Sequence, residues 1–179
     1  MGLRKASAYS KKYARPYTRK SKKKSQNYIK TIPQQKIVKF KMGAIKDYET
    51  GKLKNIMSVV CGRRVLIRDN SIEASRQIIH RFLEKEIPGQ YYLEVKVYPH
   101  HILRENKVYS GSSKGERVNT GMAKSFGSVI GRAAMVADEQ PIFLTAFFHE
   151  KYGRIVRKIY HKIRSKLPCR TRIVFEKRK

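Results

Sequence analysis

The first aspartate or glutamate in the chain is Asp47; before it, residues 1–46 carry 15 lysines and arginines and no acid. A segment so charged and so poor in apolar side chains before Tyr28 repels itself and buries too little surface to offset the entropy of ordering it. The rest of the chain divides the same way. Residues 47–150 are nearly balanced, with 15 basic and 12 acidic residues, whereas residues 151–179 hold 12 basic residues and the single acid Glu176. The net charge of +29 over 179 residues therefore sits at the two ends of a near-neutral middle. An imbalance of this size calls for a polyanionic partner. Lysines and arginines that neutralise phosphates release condensed counterions, which supplies affinity without sequence preference.

This divides the chain into a basic N-terminal arm, residues 1–34, and one domain, residues 35–179, with a flexible loop at 105–121. Within the arm, Tyr9, Tyr13, Tyr17 and Tyr28 alternate with cations. Such rings can stack on unpaired bases while a neighbouring cation takes the phosphate. The alternative is that some of them dock back on the domain. With hydrophobic residues at 40% of the chain, the middle can fill a small core.

The pattern along that middle predicts a strand at Gln35–Lys41, two β-rich runs at Ile56–Cys61 and Arg64–Ile67, and a helix over Ser71–Glu86. Asn70 and Glu73 have the spacing of an N-cap and a capping box. Tyr91–Tyr98 alternates, with Leu93, Val95 and Val97 on one face. Two strands, Phe126–Ala137 and Pro141–His149, flank a turn at Asp138-Glu139-Gln140, and a last strand spans Thr171–Phe175. Between them a second helix, about Glu150–Lys166, has an apolar stripe of Tyr152, Ile155, Val156, Ile159 and Ile163 opposite Arg154, Arg157, Lys158, His161 and Lys162. One side of that helix suits a core and the other something negative. Few helices and many strands predict an α+β fold with a mainly antiparallel sheet and two helices.

Several classes of function are disfavoured. The longest run free of charged residues and histidine, Gln140–Phe148, is too short for a membrane span. There is no apolar region of a secretory signal behind the N-terminal cations. Cys61 and Cys169 lie far apart and neither has a cysteine neighbour at metal-ligand spacing, so a reduced intracellular setting without zinc or disulfides is expected. The histidines His80, His100, His101, His149 and His161 show no metal or triad spacing, and no Walker loop or nucleophile elbow occurs. Neither an enzyme, a cofactor nor a small-molecule substrate is expected. Cys61, in an apolar strand, reads as a small core residue.

Four segments in order resemble the universal large-subunit ribosomal protein sixteen family in its archaeal and eukaryotic form. They are Val65-Leu66-Ile67-Arg68-Asp69-Asn70-Ser71-Ile72-Glu73-Ala74-Ser75-Arg76-Gln77; Val95-Lys96-Val97-Tyr98-Pro99-His100-His101-Ile102-Leu103-Arg104-Glu105-Asn106-Lys107; Gly115-Glu116-Arg117-Val118 with Gly121-Met122 and Phe126-Gly127; and, in the arm, Pro16-Tyr17-Thr18-Arg19 with Tyr28-Ile29-Lys30 and Met42-Gly43. Leu167-Pro168-Cys169 is similar to its C-terminal segment. The chain departs from the pattern at Ala123, where the family has arginine, at Ser128-Val129, where it has Lys-Pro, and by an insertion around Lys20–Asn27. The resemblance implies a β-hammerhead motif, and a place in the large subunit at the base of the central protuberance. It also implies contact with large-subunit ribosomal RNA, tRNA and neighbouring ribosomal proteins, in a cytoplasmic ribosome. The loop Glu105–Gly121 would then point toward the peptidyl-transferase centre.

Candidate RNA contacts follow. In the arm they are Arg4, Lys11, Lys12, Arg15, Arg19, Lys22, Lys23 and Lys24; on the helix, Arg154, Lys158 and Lys162; in the tRNA-proximal loop, Lys107, Lys114 and Arg117. A DNA-compacting protein would need helices or wedges shaped for a duplex groove, which these hairpin patterns do not offer. An RNA-processing enzyme would need an acid/base set that is missing.

Overall fold

A computed structural model describes residues 5–11, 15–16, 31–105 and 128–178. The described chain is α+β, with every strand pairing antiparallel and the strands divided between two sheets. One sheet has four strands: β1 (Arg15–Pro16), β6 (His101–Glu105), β7 (Ser128–Val136) and β4 (Val65–Arg68), in that spatial order. The other has five: β2 (Lys41–Gly43), β5 (Tyr91–Val95), β8 (Pro141–Phe147), β3 (Asn55–Cys61) and β9 (Thr171–Lys177). The helices are α1 (Ile45–Glu49), α2 (Asp69–Glu86) and α3 (Gly153–Ile163), the last flanked by 3-10 turns at Glu150–Tyr152 and Arg164–Lys166. The sequence predicts two helices; the third, α1, is too short to show a helical period.

Both sheets are covered on both faces, and this explains strands with no polar side. The main core joins Met57, Val59 and Cys61 of β3, Phe143 and Phe147 of β8, and Leu93 and Val95 of β5 to Ile72, Ile79 and Leu83 of α2 and Val156, Ile159 and Ile163 of α3. Val65 and Ile67 enter the same core from the four-stranded sheet, while Leu66, between them, faces the other way with Leu103, Ala133 and Tyr9. On the far side of the five-stranded sheet, α1 closes over Leu53, Tyr92 and Ala146, with the Tyr48 and Tyr92 rings stacked at 4.1 Å. The alternation read at Leu93, Val95 and Val97 holds, since all three are buried.

Two local expectations fail for identifiable reasons. Of Gln35–Lys41 only Lys41 joins a ladder; residues 35–39 are irregular and Phe40 lies in a bend. Backbone donors of this segment go to helix carboxylates instead: Lys36 N–H to Asp69 Oδ2 at 3.2 Å and Val38 N–H to Glu73 Oε2 at 3.3 Å. For the same reason Glu73 is not a capping-box residue. The N-cap of α2 is Arg68, with no side-chain cap bond, and Glu73 is held by Arg76 (Nε–H to Oε2 at 2.7 Å) and by Gln77 (Nε2–H to Oε1 at 3.0 Å). Burial raises the Glu73 carboxyl, but these hydrogen bonds and the Arg76 charge outweigh it and hold it below its ordinary value. At Asp69 burial wins over the bonds from Asn70 and Lys36, and the carboxyl is pushed up.

Gly43 marks a point of close approach. Its φ is +87°, and a Cβ there would stand 2.2 Å from the Tyr91 carbonyl oxygen. The next residue, Ala44, donates its N–H to that same oxygen at 2.8 Å. Only glycine fits.

Candidate nucleic-acid interface

Helix α3 is amphipathic along its whole length. Val156, Ile159, Tyr160 and Ile163 are buried, and Tyr160, which the expected stripe omits, anchors it most firmly. Its hydroxyl lies 2.6 Å from Thr145 Oγ1 and 3.1 Å from the Met57 carbonyl, which accepts from it. Burial pushes that phenol well above its ordinary range, so it stays a neutral donor. With one face so fixed, Arg154, Arg157, Lys158, His161 and Lys162 all stand on the exposed face. Lys151 precedes them, and Arg164 and Lys166 extend the same charge past the helix end.

The acid shown beside them, Glu150, is spent elsewhere, accepting from Lys177 Nζ at 2.9 Å. Among the described residues no carboxylate pairs with Arg154, Arg157, Lys158 or Lys162. Lys162 is partly engaged by the domain, since its ammonium lies 3.6 Å from the centre of the Phe82 ring of α2. The result is a rigid row of cations with little to neutralise it, the arrangement that attracts phosphates.

A second feature was not among the sequence candidates. Phe40, Tyr98 and His100 form a run of rings, Phe40 to Tyr98 at 5.5 Å and Tyr98 to His100 at 4.5 Å, with Tyr98 41% exposed. Arg132 of β7 reaches the same place, donating from Nε to the Pro33 carbonyl at 2.6 Å and from Nη1 to Tyr98 Oη at 3.5 Å. Exposed rings beside a guanidinium suit stacking on bases. The pieces come from three separate stretches of chain, so no local pattern joins them.

The N-terminal candidates are only partly placed. Lys11 is exposed, and Arg15 lies in β1, where its backbone pairs with Ile102. Arg4, Lys12, Arg19, Lys22, Lys23 and Lys24 lie outside the described residues, as do Tyr13, Tyr17 and Tyr28. So do Lys107, Lys114 and Arg117 and almost all of the loop 105–121. Of the arm's tyrosines, Tyr9 docks on the domain: it is buried against Leu66, Leu103 and Ala133. The backbone around it is tied down by Leu66 N–H to the Ser10 carbonyl at 3.0 Å and Arg68 Nη2 to the Lys5 carbonyl at 2.6 Å. Among the described residues no group of three or more histidines, cysteines or acids could hold a metal, and no helix is long and apolar enough to cross a membrane.

Comparison with known proteins gives this surface a context. The family described as "Ribosomal protein L16p/L10e" matches residues 14–174. Curated relatives named large ribosomal subunit protein uL16 align over nearly their whole length. That of Pyrobaculum islandicum is 36% identical over 177 residues, covering 98% of this chain and 93% of the relative. That of Staphylothermus marinus is 35% identical over 178 residues, covering 98% and 95%. That of Methanospirillum hungatei is 34% identical over 171 residues, covering 95% and 94%. The match runs through both sheets, α2 and α3, and bears out the resemblance carried by the segment from Tyr98 to Lys107: the chain belongs to the L16p/L10e family and is a structural, non-enzymatic protein of the ribosome.

Proposed function

We propose that this protein is a constituent of the large ribosomal subunit that binds large-subunit ribosomal RNA and supports the positioning of tRNA beside the peptidyl-transferase centre. The observation that carries the RNA reading is the exposed face of α3, where Arg154, Arg157, Lys158 and Lys162 stand in a row with no carboxylate paired to them among the described residues. The arm cations Arg4, Lys11, Lys12, Arg15, Arg19 and Lys22–Lys24 add sequence-independent phosphate contacts, and neighbouring ribosomal proteins are further partners.

Replacing Arg154, Lys158 and Lys162 together with glutamine tests it. Folding should be almost unchanged, because all three are exposed. Affinity for large-subunit RNA should fall, and the slope of log K against log salt should shrink by about 0.7–0.9 for each phosphate that is no longer neutralised. An unchanged slope means that the face is merely solvated. The tRNA reading rests on the loop with Lys107, Lys114 and Arg117, whose length of 17 residues between Glu105 and Gly121 no packing requirement of its sequence explains. Shortening Ser110–Lys114 should leave melting and RNA affinity of the isolated protein alone while impairing tRNA binding by ribosomes that carry it. Normal translation by those ribosomes refutes the tRNA role.

A further inference from the structure

Cys61 and Cys169 are distant in sequence, yet the β3–β9 ladder brings them together. Its last pair is Cys61 with Thr171, and beyond it Gly62 N–H donates to the Arg170 carbonyl at 3.0 Å. Cys169 is thus a diagonal neighbour of Cys61 across the two strands. A regular ladder keeps diagonal neighbours about 7–8 Å apart, wider than the span of about 4.4–6.8 Å that a disulfide bridges. Here the ladder has ended. Residues 167–169 bend after the final turn of the α3 segment, and both cysteines meet Arg63: its carbonyl lies 3.0 Å from Cys61 Sγ, and it lines the same cleft as Cys169.

Cys61 is fully buried, with its Sγ donating to the Arg63 carbonyl at 3.0 Å. Cys169 is half-buried and, with Arg63, Arg170 and Lys5, lines an open cleft of about 560 Å³, so small solutes reach Cys169. Both cysteines are reduced in this structure. We infer that Cys61 and Cys169 are a site of reversible oxidation, closing an intramolecular disulfide when the protein meets a hydroperoxide.

The chemistry balances without a further reactant. A thiolate of the pair attacks the peroxide oxygen; the O–O bond breaks, and a sulfenic acid and one water or alcohol result. The second thiol attacks that sulfur, the S–O bond breaks, water leaves and the S–S bond forms. The two thiols give up two electrons and two protons, and the peroxide takes both. The surroundings favour the first step. The Cys169 thiol, with Arg63, outweighs burial and the Asp138 carboxylate and holds the Cys61 thiol down to about 7, while the Cys61 thiol and burial push Cys169 up.

The test treats the full-length chain with hydrogen peroxide at neutral pH, alkylates the remaining thiols and maps the peptides. The expected product is lighter by about 2 Da, has lost both alkylation sites, contains a peptide joining Cys61 to Cys169, and returns to the starting mass with dithiothreitol. Because folding holds the thiols together, the link should form about tenfold or more faster than in guanidinium chloride. Cys61→Ser and Cys169→Ser should each abolish it. Oxygen adducts on either cysteine, or disulfide-linked dimers, in place of the internal link overturn the proposal. So does an equal rate in the native and denatured chain.

Discussion

Glu73 joins two distant parts of the chain with one carboxylate. It accepts from Arg76 and Gln77 within α2 and from the backbone of Val38, 35 positions earlier. Glu73→Gln should leave the Arg76 guanidinium, itself buried, without its counter-charge, at a cost of about 3–5 kcal/mol at pH 7, measured by chemical denaturation. The folded value of this carboxyl lies below the ordinary value of about 4.3. Its contribution is therefore complete above that pH and is lost as pH falls through the lower folded value, so the gap between wild type and Glu73→Gln should narrow in acid. Asp69 works in the opposite sense: its carboxyl is raised, so ionising it costs stability as pH climbs from its ordinary value toward the folded one. Asp69→Asn should accordingly flatten the stability profile just above pH 4. Gly43→Ala should cost about 1–3 kcal/mol from its φ of +87° alone, and more from the clash with the Tyr91 carbonyl.

At the scale of elements, α3 is held by its buried side and acts through the other, and substitutions should separate the two. Ile159→Ala, on the buried side, should cost about 2–5 kcal/mol in thermal or denaturant melts. Tyr160→Phe should cost about 1–3 kcal/mol, because Thr145 Oγ1 and the Met57 carbonyl each lose their bond to the buried phenol. Neither should alter the salt dependence of RNA binding. Helix α3 was legible in the sequence because both of its faces obey one period. Strand β5 was legible for the same reason, through Leu93, Val95 and Val97. What escaped is what depends on residues far apart. Ile37 and Val38 look like strand residues, and nothing local shows that the nearby backbone donors are taken by Asp69 and Glu73. The cations of α3 could be named from spacing, whereas the Phe40–Tyr98–His100 rings meet Arg132 only because β7, the link between β5 and β6 and the segment before β2 converge there. Cys61 was expected to be a core residue and is one, but its approach to Cys169 needs the register of β3 on β9.

On the scale of the whole molecule, the described part of the N-terminal segment belongs to the structure as well as to the charge. Tyr9 seals the outer face of the four-stranded sheet, and Arg15–Pro16 covers the edge of β6. Removing residues 1–16 should lower the melting temperature and expose that edge, so the shortened chain should aggregate more readily, as light scattering would show. Tyr9→Ala in the intact chain should reproduce the loss of stability, by about 3–5 kcal/mol as for other buried aromatic truncations, without the aggregation.

The place of β9 has a consequence in time. It pairs with β3 alone, and more than a hundred residues of chain separate the two strands. As the chain leaves the ribosome that makes it, β3 can pair with β8 on one side, but its other side stays open until Thr171–Lys177 has emerged. A copy whose translation stops before Thr171 therefore presents a bare strand, Asn55–Cys61, at the edge of an otherwise assembled sheet. Such a copy offers that largely buried, apolar strand to proteases, chaperones and its own neighbours, whereas in a chain that has reached Lys177 the edge passes to β9, which is mostly exposed and carries Arg172, Glu176 and Lys177.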